Sequence, residues 1–121
     1  MRVYLASNFA SQDRMKGVRR MLERLGHEVT STWLDEDGAQ SYELNPHYGP
    51  GYAIRDRGEV EASDILILDT LEQSNTGGRE VELGLALATG KRTWRVGPAR
   101  NIFHTVVGAT FDDWESCYEK L

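Results

Sequence analysis

The chain has 121 residues, a common size for a single domain, and its composition is that of an ordinary globular protein. Its formal net charge of −5 argues against a DNA or RNA polymer as the main partner, but leaves room for a small ligand. No apolar run approaches the roughly 20 residues that span a bilayer, so we expect no membrane contact. The single cysteine, Cys117, forms no intrachain disulfide, which favours a reducing, cytoplasmic setting.

The first third of the chain predicts a strand, a helix and a second strand joined by short turns. Residues 3–6 are strand-like, and residues 13–25 carry apolar side chains at helical spacing before Gly26, a natural C-cap. Residues 27–33 are rich in β-branched side chains and predict the second strand. Such a βαβ unit implies two parallel strands with a right-handed crossover.

Residues 35–51 form a long polar stretch that contains two prolines and three glycines, together with Tyr42, His47 and Tyr48. A connection of this length in a compact domain is usually functional or disordered. The aromatic residues favour a lid or binding loop, and a solvent-exposed surface excursion is an equally good interpretation.

The rest of the chain predicts two further helix–strand pairs and a terminal helix. Residues 52–62 predict a helix, and the apolar run within residues 64–69 predicts a central strand covered on both faces. Residues 78–89 predict a helix, residues 92–96 a fourth strand, and Asp112 is expected to cap the terminal helix. A short edge strand can lie at residues 105–107 or 109–111.

The alternation of strands and helices predicts one α/β domain over residues 1–121, with three layers and a four- to five-stranded, mainly parallel sheet. In open sheets of this class, ligands bind at the carboxyl ends of the strands. Residues 6–11 and 69–78 are expected to converge there, and the long polar stretch can join them.

The segment from Thr76 to Ala88 begins as a polar, glycine-containing loop and continues as an almost wholly apolar helix. The unpaired N–H groups and dipole of a helix N-terminus favour an anion, and Glu80 in the first turn is explained by the same dipole. Glu82 is different, because it lies among apolar residues on a helix that we expect to be buried on most sides. A carboxylate there is unfavourable unless it is paired or faces a cavity.

Several common sites are absent from the sequence. No G-x-G-x-x-G motif follows the first strand, no P-loop or nucleophile elbow is present, and the three histidines lack metal-ligand spacing. We therefore expect neither a cofactor nor a metal. Cys117 in the terminal helix is more typical of a packing residue than of a nucleophile.

What remains is a set of carboxylates. Glu82 is a candidate nucleophile or general base, and Asp56 or Asp69 is its candidate acidic partner, an arrangement that suits glycosidic bond cleavage. Tyr4 on the first strand can hydrogen-bond the nucleophile. Each residue also has a structural interpretation: Asp69 as a strand-end residue, Asp56 as part of a solvated helix face beside Arg55, and Tyr4 as a core residue.

The run from Val81 to Ala86, followed by Gly90-Lys91, resembles the ELG-x-A…GK segment of the nucleoside 2-deoxyribosyltransferase superfamily, which includes the 2′-deoxynucleoside 5′-phosphate N-hydrolases. The eight-residue spacing of Asp56 and Asp64 and the tyrosine of the first strand also match. The resemblance implies a flavodoxin-like or Rossmann-like fold, a homo-oligomer, a small nucleoside or nucleotide substrate and no cofactor.

The resemblance also implies a role for each matching residue. Glu82 is expected to attack C1′ and form a glycosyl-enzyme, Asp56 to assist the departing base, and Tyr4 to position Glu82. The residues expected to hold the 5′ end of the substrate are Ser7, Thr76, Gly77, Gly78 and Arg79. Transfer to a second base and hydrolysis share the same glycosyl-enzyme, so both outcomes stay open.

The chain also departs from the pattern that it resembles. Glu80 replaces a small residue, and Thr76 replaces an acidic residue that some transferases use, which favours a phosphorylated substrate. Residues 97–104 match neither branch, and Arg100, Asn101 and His104 are candidates for a neighbouring subunit's site. Two other interpretations stay open: a non-catalytic nucleotide or ADP-ribose-like sensor on the same fold, and a structural domain in which Glu82 is salt-bridged.

Overall fold

The structure, a computed structural model, describes residues 1–38 and 46–121. In this part of the chain, five parallel strands form one sheet in the order β2-β1-β3-β4-β5. The strands are β1 (Arg2–Ala6), β2 (Glu28–Val29), β3 (Ile65–Asp69), β4 (Arg92–Val96) and β5 (Ala109–Phe111). This is the strand order of flavodoxin-like sheets, and it confirms the predicted three-layer α/β fold.

The sheet is covered by helices on both faces. The helices are α1 (Gln12–Arg24), α2 (Gly49–Glu61), α3 (Gly78–Ala88) and α4 (Trp114–Tyr118). Right-handed crossovers place α1 on one face, and they place α2 and α3, which pack together, on the other. Four of the five residues of β1 are buried, and all five residues of β3 are enclosed, as the continuous apolar run of β3 predicts.

The prediction of a second strand over residues 27–33 is wrong beyond Val29. Only Glu28 and Val29 pair with β1, and Thr32–Asp35 form a 3₁₀ turn. Side chains replace the missing ladder bonds: Leu5 N donates to Ser31 Oγ at 3.0 Å, and Trp33 Nε1 donates to Leu5 O at 2.8 Å. Since these side chains satisfy both backbone groups of Leu5, the edge strand ends early.

Part of the predicted 35–51 loop is helical. A 3₁₀ turn at Pro46–Tyr48 leads directly into α2, which begins at Gly49 and has Pro50 in its first turn, where a missing N–H and a fixed φ are tolerated. The rings of His47 and Tyr48 stack with centroids 4.3 Å apart. Tyr42 lies outside the described residues, and so do the parts of the lid and surface-loop interpretations that depend on residues 39–45.

The C-terminal part of the structure tests the predictions of an edge strand and of the cap of the terminal helix. The edge strand is β5 at residues 109–111, while Ile102–Val106 form a 3₁₀ turn instead of a strand. The cap of α4 is Asp113 and not Asp112, because the Asp113 side chain accepts a 2.8 Å hydrogen bond from Ser116 N. Within the described ranges, no helix is both long and apolar enough to cross a bilayer.

A close backbone contact fixes the chain after β4. Gly97 has φ of 111°, and a Cβ atom there would lie 2.7 Å from both Leu71 N and Thr70 Oγ1. The Thr70 hydroxyl donates to Pro98 O at 2.6 Å, which holds the two segments together. Only glycine combines this backbone conformation with this approach to the loop that leads into α3.

Gly97→Ala is therefore expected to lower the free energy of unfolding by about 2 to 4 kcal/mol, measured by urea denaturation. Gly84→Ala is the matched control, because Gly84 lies in α3 and a Cβ atom there meets nothing within 4 Å. The control should stabilise the protein by up to about 1 kcal/mol, since alanine favours a helix interior. Equal effects of the two substitutions would contradict the steric argument.

Candidate active site

Two adjoining cavities share a wall formed by Asp56, Gly78 and Glu82. The larger, about 450 Å³, lies between α2 and α3, and its other lining residues are Ala53, Ile54, Arg57, Val81 and Leu85. The smaller, about 130 Å³, lies at the carboxyl ends of β1 and β2, and its other lining residues are Ser7, Phe9, Trp33, Glu36, Thr76 and Arg79. Of the three candidate catalytic residues, Glu82 and Asp56 therefore face both spaces, and Tyr4 lies behind them.

Tyr4 and Glu82 form a direct hydrogen bond in the interior. The fully buried Tyr4 hydroxyl donates a short hydrogen bond from β1 to Glu82 Oε2 on α3. Burial raises the pKa of Glu82 to about 8; the hydrogen bond from Tyr4 opposes this rise, and the nearby charge of Asp56 adds to it. Glu82 Oε1 has no hydrogen-bond partner in the described part of the chain, so it is available to a ligand.

Asp56 resembles Glu82 in that only one of its two carboxyl oxygens accepts hydrogen bonds from a neighbouring side chain. Its Oδ1 accepts hydrogen bonds from Arg55 Nε at 3.0 Å and Arg55 Nη2 at 2.7 Å. Burial raises the pKa of Asp56, the hydrogen bonds and charge of Arg55 lower it, and the charges of Glu59 and Glu36 raise it. The neighbouring side chain of Arg55 therefore anchors one oxygen of a carboxyl group that lines both cavities.

Four carboxyl groups surround this single guanidinium group. Arg55 Nη2 donates to Glu36 Oε1 at 2.8 Å, Arg55 Nε lies 3.9 Å from Glu59 Oε1, and Asp56 and Glu82 complete the set. Glu59 also accepts a 2.7 Å hydrogen bond from the Thr32 hydroxyl. An excess of carboxyl groups in a partly desolvated site retains a proton and favours positive charge on a ligand.

The residues expected to hold the 5′ end lie at the smaller cavity or beside it. Ser7, Thr76 and Gly78 line this cavity, and the Ser7 Oγ atom is buried without a hydrogen-bond partner among the described residues. Gly77 is the N-cap of α3, so its neighbours present the unpaired N–H groups of a helix N-terminus. A buried hydroxyl group without a partner beside such a terminus marks a place for a polar ligand group.

Arg79 lines the smaller cavity, but most of its donors are engaged within the chain. Nη1 donates to Asp69 O at 3.2 Å and to Glu72 O at 2.8 Å, and Nε pairs with Glu80 at 3.0 Å. Its side chain is buried and holds the loop between β3 and α3. Arg79 therefore shapes the approach to Gly77 and Gly78 as well as the cavity wall.

Asp69 has a structural role, in agreement with the interpretation as a strand-end residue. Its two carboxyl oxygens accept from Arg14 at 2.8 and 2.9 Å, and Trp114 Nε1 donates to it at 2.7 Å. It is fully buried and lines neither cavity. Asp69 is therefore not the partner of Glu82, and it ties α1 and α4 to the end of β3.

The segment after β4 is bound to its own chain. His104 is fully buried, with Nε2 at 2.9 Å from Glu80 Oε1 and Nδ1 accepting from Arg100 N at 3.0 Å. The Arg100 side chain donates to Thr70 O at 2.8 Å, and the Asn101 side chain caps the turn at 102–106. The hypothesis that His104 reaches a neighbour's site is wrong, since its ring is enclosed here.

Glu80 is part of this same network, so its first-turn position has a structural account. Burial alone would raise the pKa of Glu80, and hydrogen bonds from Arg79 and His104 hold it below the ordinary value. No cluster of three or more His, Cys, Asp or Glu side chains within residues 1–38 and 46–121 is arranged to hold a metal ion.

Two solved enzyme structures are similar to this chain over almost their full lengths. A 2-deoxyribosyltransferase from Bacillus psychrosaccharolyticus has a TM-score of 0.70 and 23% identity, with 97% of this chain and 90% of that chain covered. A CMP N-glycosidase from Clostridium botulinum has a TM-score of 0.66 and 19% identity, with 99% and 97% covered. The chain has the fold of these enzymes. A scan of protein-family models and a search of curated proteins gave no match.

Sequence reasoning missed several residues that line the two cavities or contact their walls. Phe9 and Trp33 line the smaller cavity, with ring centroids 6.2 Å apart, and Glu36 lies beside them. Phe9 lies within residues 6–11, the segment that the strand-end rule already brings to this edge of the sheet, and the same rule applied after β2 selects Trp33 and Glu36. Arg55 was missed because an arginine next to an aspartate on a helix is typical of a solvated face.

Glu82→Gln is expected to change how stability depends on pH. The pKa of Glu82 is about 8 in the folded protein and 4.5 in an unperturbed carboxyl group, so the folded state binds this proton more tightly. The resulting stabilisation is complete below about pH 4.5 and is lost as the pH rises through 8. Urea unfolding between pH 5 and 9 should show a loss on the order of a few kcal/mol in wild type relative to Glu82→Gln. Parallel curves would argue that the carboxyl group is not desolvated.

Proposed function

We propose that this protein belongs to the nucleoside 2-deoxyribosyltransferase superfamily, and that it cleaves or transfers the N-glycosidic bond of a (2′-deoxy)nucleoside or its 5′-monophosphate. One observation carries this proposal: Glu82 and Asp56 form a common cavity wall, and each has one oxygen anchored and the other without a hydrogen-bond partner among the described residues. Two such carboxyl groups suit glycosidic chemistry. The fold shared with a 2-deoxyribosyltransferase and a CMP N-glycosidase supports the same reaction class.

In the proposed first step, Glu82 Oε1 attacks C1′ of the sugar. A bond forms between this oxygen and C1′, the bond from C1′ to the base nitrogen breaks, and its electron pair leaves with the base. In the second step, water or a nitrogen atom of another base attacks C1′, the bond from C1′ to Glu82 breaks and releases its carboxylate, and the Asp56 carboxylate left by the first step accepts the proton of the attacking group. Water completes a hydrolysis and a second base completes a transfer, and both routes use the same glutamyl glycosyl-enzyme.

The departing base needs a proton, and the Glu82 and Asp56 carboxyl groups can supply it because their pKa values are raised. Burial raises the pKa of both carboxyl groups, and the charge of Asp56 raises the pKa of Glu82 further, so we propose that the pair retains one proton. In the proposed reaction this proton passes from the Asp56 side to the base, which leaves Glu82 ionised for attack. The hydrogen bond from Tyr4 stabilises this ionised form and fixes the direction of the reacting oxygen.

The charge of the cluster also suits the transition state. Cleavage of an N-glycosidic bond develops positive charge on the sugar ring, and carboxylates held nearby stabilise that charge more than they stabilise a neutral substrate. The 5′ end is proposed to bind at Ser7, Thr76 and the N–H groups around Gly77 and Gly78, where a hydroxyl without a partner and a helix N-terminus both attract oxygen atoms.

The direct test is to incubate the protein with deoxynucleosides, ribonucleosides and their 5′-monophosphates, with and without an acceptor base, and to follow free base by chromatography. Exchange only with an acceptor indicates a transferase, and release without one indicates a hydrolase. Glu82→Gln should lower either rate by at least about 1000-fold, because the nucleophile is lost. The proposal would be contradicted if no base were released or exchanged. If nucleotides also raised the melting temperature of wild type and Glu82→Gln alike, the result would favour a non-catalytic sensor.

Asp56→Asn and Asp69→Asn form a matched pair that separates chemistry from structure. Asp56→Asn is expected to lower kcat by about 100-fold or more, with little change in the free energy of unfolding, because the proton donor is lost. Asp69→Asn is expected to lower the free energy of unfolding by about 3 kcal/mol, because Arg14 loses its buried partner, and to retain kcat in the folded fraction. The opposite pattern in kinetics and urea unfolding would reverse the two assignments.

A further inference from the structure

We propose that Arg55 is a positioning residue for the reaction proposed above, and that its guanidinium group fixes the Asp56 carboxylate in the wall shared by the two cavities. Arg55 itself lines neither cavity, so it acts through Asp56 and not on the substrate. The inference rests on the proposed function, because the position of Asp56 matters for catalysis only if Asp56 takes part in it.

The contact between the two residues is one-sided. Nε and Nη2 of Arg55 both donate to the same oxygen, Asp56 Oδ1, at 3.0 and 2.7 Å. Asp56 Oδ2 has no hydrogen-bond partner within residues 1–38 and 46–121. A guanidinium group that takes one oxygen with two donors orients the carboxyl plane and leaves the other oxygen for a ligand.

Arg55 is itself held by its surroundings. Its guanidinium carbon lies 5.0 Å from the centre of the Tyr52 ring, and Nη2 also donates to Glu36 Oε1 at 2.8 Å. Glu36 comes from the segment after β2, whereas Asp56 and Tyr52 lie on α2. The guanidinium group therefore links α2 to the edge of the smaller cavity and has little freedom to rotate away from Asp56.

Arg55 and Tyr4 have matching roles in this arrangement. Tyr4 anchors Oε2 of Glu82 and leaves Oε1, while Arg55 anchors Oδ1 of Asp56 and leaves Oδ2. The two anchors come from different elements, β1 and α2, which are fixed by the fold. Preorganisation of this kind matters because a displacement of about 1 Å at a reacting group can lower a rate by about 100-fold.

Arg55 also sets the balance of charge at the site. The groups that face Asp56 are Arg55 and Glu59 on its own helix, Glu36 after β2, Glu82 on α3 and Tyr4 on β1. Arg57 and Arg79 also line the cavities, but Arg55 is the cation that contacts Asp56 directly, and its charge lowers the pKa of both Asp56 and Glu82. Loss of this charge therefore raises both pKa values, and a larger fraction of the pair is protonated at a given pH.

The test compares Arg55→Met, Arg55→Lys and a control, Arg2→Met. Methionine keeps an unbranched side chain without the charge, and lysine keeps the charge without the two-donor fork. The control removes a guanidinium group from an exposed ion pair with Asp64 at the start of β1, away from both cavities. Measurements are kcat and KM across pH, with urea unfolding to show that each variant is folded.

Arg55→Met is expected to lower kcat by about 100-fold near neutral pH with a small change in KM, and to move the acidic limb of the pH profile to higher pH. Arg55→Lys should keep the limb near that of wild type and recover only part of kcat, and Arg2→Met should match wild type. A wild-type kcat in Arg55→Met would overturn the inference. An equal loss at every pH, with the limb unmoved, would assign Arg55 to the support of the fold and overturn it as well.

A measurement without substrate separates this inference from the proposed function. In the ligand-free protein, the loss of stability linked to Glu82 should extend to higher pH in Arg55→Met, because the pKa of Glu82 rises when a positive charge is removed. Arg55→Lys should retain the wild-type pH range. An unchanged range in Arg55→Met would sink the inference, whether or not the protein releases a base.

Discussion

The hydrogen bond from Tyr4 to Glu82 is the interaction on which the rest of the site depends. It joins β1 to α3 and gives the desolvated Glu82 carboxyl group a hydrogen-bond partner on the side away from the cavities. If Glu82 had only a packing role, an apolar side chain would stabilise the protein more, because the desolvation of a carboxyl group is more unfavourable than one hydrogen bond is favourable. Burial raises the pKa of Glu82 to about 8 despite this hydrogen bond, which brings its titration into the pH range that acid–base chemistry uses.

The two aspartates near the sheet show how a structural carboxylate differs from a candidate catalytic one. Asp69 accepts from Arg14, Trp114 and Leu71 N, so both oxygens are engaged and no solvent or cavity reaches it. Asp56 has one engaged oxygen and one oxygen without a partner in the described residues, at a cavity wall. Burial alone does not separate the two aspartates, since both are desolvated; they differ because Asp56 combines an oxygen without a partner with a place in a cavity wall.

The sequence was sufficient for the α/β fold, because the apolar runs have strand or helix periodicity. The motif spacing also selected Tyr4, Asp56 and Glu82, three residues that lie close together in the structure and whose catalytic roles are proposed. The sequence did not predict where β2 ends, because the side chains of Ser31 and Trp33 take the place of backbone hydrogen bonds to Leu5. Arg55 was also beyond it. The proposed role of Arg55 depends on its contact with one oxygen of Asp56, and the order of residues in a helix does not show which oxygen a neighbouring side chain contacts.

The charges at the smaller cavity bear on the 5′ group that the proposed substrate carries. Thr76 in place of an acidic residue favours a phosphate, as does the N-terminus of α3, but a helix dipole acts only over its first turn. Glu36, Asp56 and Glu82 oppose an added anion there, and the cation of this cavity, Arg79, is paired with Glu80. Repulsion between charges strengthens as water is excluded, so a 5′ phosphate placed in this cavity would have to overcome the carboxylates that line it. A neutral 5′ hydroxyl would meet no such repulsion, and one hydrogen bond with the buried Ser7 hydroxyl would satisfy both groups.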